Sequence, residues 1–122
     1  MAGVKFVDVH GKQVLLMDFT HLKDATLLAT QTEEAIAMVR GASAPHSVLA
    51  LLDLTGTPLN RALLSSLRKL SQSNGPFIEA MAFAGLGAVP GGALGALLRV
   101  TQRTNHMVFE TRAEALDWLT SQ

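Results

Sequence analysis

The stretch VLALLDLTGTPLNRALLSSLRKL, Val48 to Leu70, decides the fold. Its first part, Val48 to Leu54, is a nearly continuous apolar run. Short runs without alternation belong to strands covered on both faces, as in parallel sheets. TGTPLN then supplies turn residues. Asn60 stands where a helix would be capped, and Leu63, Leu64, Leu67 and Leu70 make one apolar face. Asn74-Gly75-Pro76 ends that helix, with the glycine read as a left-handed cap and the proline just beyond it. Phe77 to Ala84, FIEAMAFA, reads as the next strand. Strand, helix, strand in this order is a parallel crossover unit.

The flanks extend the same pattern. Towards the N-terminus, Val4, Phe6, Val7 and Val9 alternate loosely with Lys5 and Asp8, which suits a half-exposed strand near a sheet edge. His10-Gly11-Lys12 is a turn, and Val14 to Phe19 forms a second strand, so the two make a hairpin. From about Leu22 to Arg40 the spacing of Ala25, Leu28, Thr32, Ala35, Ile36 and Val39 is helical, with Gly41 as the stop and Pro45 beyond. Towards the C-terminus, Gly85 to Val89 is a turn and Pro90 opens a helix that ends near Arg103, with Asn105 as its cap. His106 to Phe109 is a short strand. Thr111 with Glu114 forms a capping box for a last helix that turns Ala115, Leu116 and Leu119 inward, with Trp118 beside them. The order ββαβαβαβα predicts an α/β fold over residues 1–122 as one domain, a mixed and mostly parallel five-stranded sheet with about four helices.

AMAFAGLGAVPGGALGALL, Ala80 to Leu98, contains no charged residue. It reaches the length of a membrane span, but it is mostly alanine and glycine and holds a proline near its middle, so no span is expected. As a phosphate loop it fails on spacing. After Gly85 and Gly87, Pro90 occupies the place of the third glycine and removes an N–H donor. Two readings stand: a tight strand-to-helix turn, or a helix lined by Gly91, Gly92, Gly95 and Ala96 that leaves space beneath it for an apolar ligand.

Ten basic residues balance ten acidic ones, there is one tryptophan, and there is no tyrosine. Nucleic acid is therefore not an expected partner. The chain has no cysteine, which removes disulfides, thiolate nucleophiles and zinc–thiolate sites and fits a cytoplasmic protein. The opening MAGVKFVDVHGKQ lacks the order of a signal peptide.

Little in the sequence points to catalysis, a metal or another cofactor. His10, His21, His46 and His106 include no pair at metal-binding helical spacing. Asp18, His21 and Asp24 straddle a strand end and a helix start and read as a capping cluster. No G-x-S-x-G elbow exists, and Ser65-Ser66 lie on a helix. Glu33 and Glu34 read as solvated, and Glu79 sits oddly within a strand, on an exposed face or at a dimer edge. Ligands of parallel sheets gather beyond the carboxyl ends of the strands. There Asp53, Thr55 and Thr57 either recognise a partner or small polar ligand, or satisfy loop N–H groups as turn residues. Asn60, Gly85, Gly87 and Gly91 lie along the same edge. Arg99 and Arg103, four apart, contact an anionic partner or lipid headgroup, or else stabilise a helix C-terminus.

LLDLTGTPLNRALLSSLRKL, NGPFIEAMAFAGLGAV and RVTQRTNHMVFETRAEALDWL together resemble the SpoIIAA-like branch of the STAS superfamily, also grouped as STAS/SEC14-like. The likeness runs from about Val14 to Leu119. It implies a small α/β domain with a mixed sheet that binds protein partners, as anti-sigma factor antagonists do. Classical members are switched by phosphorylation of a serine at the start of the helix after the third strand. That place holds Asn60-Arg61-Ala62-Leu63, so Arg61 and Ala62 stand where the serines would be and the usual switch is not expected. The SEC14-like kinship implies lipid binding in a larger domain. The expectation is a non-enzymatic regulatory or interaction module with a protein partner or a second copy of itself. The alternative is a small carrier of an apolar or lipid-like ligand near residues 90–103.

Overall fold

The computed structural model describes residues 3–42, 44–85 and 105–122. Strands β1 (Gly3–Val9) and β2 (Lys12–Asp18) pair antiparallel as a hairpin. Its two-residue turn has positive φ at both His10 and Gly11, the geometry whose twist matches that of the flanking strands. Helix α1 (Ala25–Ala42) leads to β3 (Val48–Asp53), and α2 (Arg61–Asn74) leads to β4 (Ile78–Ala84). After β5 (Asn105–Phe109) comes α3 (Arg112–Thr120). The five strands lie side by side in chain order, and β2 to β5 run parallel. The α/β class and the mixed, mostly parallel sheet are thus observed, with three α-helices among the described residues. The helix expected over Pro90–Arg103 lies outside them. No helix among the described residues is long and apolar enough to cross a membrane.

Every residue of β3 is buried, as its unbroken apolar run requires. Its side chains alternate between two cores. On one face Leu15, Met17, Ala50, Leu52 and Phe83 meet α1 and α2 through Leu28, Ile36, Val39, Leu63, Leu67 and Leu70. Successive right-handed crossovers that advance in one direction place both helices on that side. On the other face Val14, Leu16, Leu49 and Leu51 join Ala80, Ala82 and Ala84 against Ala115 and Leu119 of α3. The alanines at alternate positions of β4 leave room for this helix, which packs Leu116 and Trp118 against the same core beside Ala115 and Leu119. Trp118 closes the flank against Phe109, ring centroids 5.9 Å apart.

Several boundaries differ from the sequence reading. α1 runs through Gly41 to Ala42; Gly41 is exposed with open space around it, and a helix tolerates such a glycine at about 1 kcal/mol. Ala25 lies on the exposed side of that helix. Gly75 has φ −48°, right-handed, because the chain tightens into a 3-10 turn over Gly75–Phe77 that accepts Pro76 near its start. Phe77 therefore belongs to that turn and β4 begins at Ile78. Asn105 is the first residue of β5, paired with Ala80. Glu79 is exposed at a bulge, since Val48 pairs with Ile78 while Leu49 pairs with Ala80. One extra residue lets the strand carry a carboxylate to water without reversing its buried faces.

Candidate functional site

The carboxyl ends of β2 and β3 finish alike: Asp18-Phe19-Thr20 and Asp53-Leu54-Thr55. In each, one carboxylate oxygen accepts two hydrogen bonds from the threonine two residues on. Asp18 Oδ1 takes the Thr20 N–H at 3.1 Å and its hydroxyl at 2.6 Å. Asp53 Oδ1 takes the Thr55 N–H at 3.1 Å and its hydroxyl at 2.7 Å. The local reason is the short Asp side chain, which folds back onto the chain just where the ladder ends. Phe19 and Leu54, between these pairs, stay buried in the core.

The two carboxylates are neighbours, since Asp18 and Asp53 are register partners. Their second oxygens share one cation. Arg112, the first residue of α3, donates from Nε to Asp53 Oδ2 at 2.9 Å. Its Nη2 lies 2.9 Å from Asp53 Oδ2 and 3.2 Å from Asp18 Oδ2. One guanidinium thus ties the last helix to two strands. Burial pushes the Asp18 carboxyl up, but the Thr20 hydroxyl and N–H and the Arg112 guanidinium outweigh it and hold the group below the usual carboxylate range. Burial likewise opposes the charge of Arg112, and the carboxylates of Asp53 and Asp18 more than restore it.

Around this core the edge is stitched by backbone. Phe19 N–H donates to the Asp53 carbonyl at 3.0 Å, Leu54 N–H to Ala84 at 3.0 Å, and Gly85 N–H to Phe109 at 3.2 Å. The Thr57 hydroxyl donates to the Phe19 carbonyl and accepts the Leu22 N–H at 2.9 Å. Gly85 has φ +81°, and a Cβ there would lie 2.6 Å from the Thr55 backbone nitrogen. Gly56, φ +72°, lies under the His21 imidazole, and His21 itself is left-handed at φ 52°. Asn60 caps α2 by accepting the Leu63 N–H at 3.0 Å.

The structure therefore brings together Asp53, Thr55, Thr57 and Gly85, and commits Asn60 to the adjoining helix start. Gly87, Gly91, Arg99 and Arg103 lie outside the described residues. Of the presumed capping cluster, Asp24 does cap α1, accepting the Thr26 N–H at 2.8 Å, whereas Asp18 belongs to the arginine-bridged pair. Glu33 is exposed and ion-paired with Lys69 of α2. Among the described residues no group of three or more His, Asp or Glu side chains is placed to hold a metal ion. The sequence reading missed Asp18, Thr20 and Arg112 as members of the site. The signal was present in the repeated Asp-x-Thr at two strand ends, whereas the arginine follows only once α3 is known to return to the opposite face.

No family model matches the chain, and no curated protein or solved structure matches it.

Proposed function

We propose that this chain is a non-enzymatic, STAS-like interaction module that engages a protein, or a second copy of itself, through the edge where α2 begins. The observation that carries this reading is the mutual commitment of Asp18, Asp53, Thr20, Thr55 and Arg112. Side chains bound to one another in this way define a fixed shape; they are not poised to move protons or attack a substrate. After the loop that follows β3, Arg61, Ala62 and Ser65 are exposed on the first turns of α2. Because Arg61 and Ala62 stand where classical relatives would carry serines, and Asn60 is used as a cap, the module works without the usual phospho-serine switch. A chain without cysteine suits the reducing cytoplasm.

The test is capture from the source cell's extract by the immobilised chain, compared between Arg61→Glu and Gln72→Glu. Both positions are exposed on α2, so neither change should disturb folding. The reading expects one defined partner, retained by Gln72→Glu and lost by Arg61→Glu. A partner bound equally by both variants would place the interface elsewhere.

A further inference from the structure

We propose a binding site for a small zwitterion, a molecule carrying both an ammonium and a carboxylate, in the hollow at the amino ends of β2, β3 and β4. The hollow has a volume of about 320 Å³. Small-molecule sites run from roughly 300 to 1,000 Å³, so there is room for a ligand and not only for water. Val48, Leu49 and the half-buried Phe6 give it apolar walls, and Lys12, Ser47 and Glu79 bring polar groups to it. A few polar groups converging on apolar walls are the usual layout of such a site. This end of the sheet lies opposite the edge where α2 begins, so the site does not rest on the interaction reading.

The two charged residues on the hollow have opposite sign and do not satisfy each other. Lys12 is half-buried, and its Nζ donates to the Gln122 carbonyl, which holds the ammonium in place. An ammonium has three donors, so two remain for a ligand carboxylate. Glu79 is exposed and has no hydrogen bond or ion pair among the described residues. Its carboxylate offers only acceptors and suits a ligand ammonium. The bulge in β4 puts it there, because Val48 pairs with Ile78 and Leu49 with Ala80, which leaves Glu79 as the extra residue. Glutamate is a poor strand former, so the ladder itself gains nothing from it at this point. Bulges commonly re-aim a side chain beside a functional site. An ion of one sign would be attracted by one of these residues and repelled by the other, whereas a zwitterion can be attracted by both.

The probes are β-alanine, γ-aminobutyrate and ε-aminohexanoate, which hold their two charges at increasing separation. Butylamine and butyrate carry one charge each and serve as controls. The whole chain, labelled with nitrogen-15, is titrated with each and followed by amide chemical shifts. At least one zwitterion should give saturable shifts at Lys12, Gln13, Ser47, Leu49 and Glu79, with a dissociation constant about tenfold below those of the two controls. Glu79→Gln, a change at an exposed position, should weaken that zwitterion about tenfold and should not weaken butyrate. No saturable shift at these residues with any of the three, a control that binds as tightly, or an affinity unaltered by Glu79→Gln would each overturn the proposal. The comparison of probes in the unaltered chain decides the matter even if the variant does not fold.

Discussion

At the scale of single residues, Arg112 and Gly85 have the most to lose. Removing the guanidinium leaves Asp18 and Asp53 facing each other across adjacent strands. A broken buried pair costs 3–5 kcal/mol, but Arg112 keeps about a third of its side chain in solvent, so Arg112→Met should cost about 1–3 kcal/mol in urea unfolding. The pH dependence has a definite sign. Asp18 is held below its unfolded pKa, so its contribution is complete above about pH 4 and is lost as pH falls through the folded value. Acid titrations of stability should therefore show a falling limb below about pH 4, and that limb should be shallower in Arg112→Met, because loss of the guanidinium lets the folded Asp18 pKa rise toward the unfolded one. Gly85→Ala meets both a left-handed backbone and the Thr55 main chain, which cannot give way as a flexible side chain would. It should cost more than about 2 kcal/mol, seen as a lowered midpoint of unfolding. Gly56→Ala should cost less than Gly85→Ala in the same assay, because the obstruction is the His21 ring, which can move.

Helices and strands were legible wherever a single local signal fixed them. Asn60 and Thr111 both cap as expected, each accepting the N–H three residues on. Asn60→Ala and Thr111→Ala should each lower stability by about 1 kcal/mol, and hydrogen exchange should show the loss first in the opening turn of α2 or α3 respectively. The apolar run of β3 and the leucine face of α2 were equally plain, since burial on both faces or on one stripe leaves a direct pattern. What failed were endings. Gly41 reads as a stop, but α1 runs through it to Ala42; Gly75 does end α2, but with right-handed and not left-handed geometry, because glycine only permits a left-handed cap and does not demand it. At Gly75 the right-handed turn into Pro76 lets the chain reach β4 in three residues. The bulge at Glu79 was invisible for a related reason: a two-residue alternation cannot announce the position at which it skips.

On the scale of the whole molecule, the site was half legible. Asp53, Thr55, Thr57 and Gly85 fall at the carboxyl edge because the parallel order of β2 to β5 was evident from the alternation of elements. Their partners were not evident, because Arg112 is 59 residues from Asp53 along the chain and arrives only when α3 crosses to the second face. A long-range ion pair leaves no periodic trace. The same tie gives the account its central claim, that the carboxyl edge is a rigid shape offered to a protein and that the start of α2 belongs to the interface. The most direct measurement is photo-crosslinking in living cells, with a photoreactive residue at position 61 and, separately, at position 72. The account predicts one discrete protein adduct from position 61, absent from position 72, whose mass identifies either another protein or a second copy of this chain. No adduct from position 61, or the same adduct from both, would contradict it.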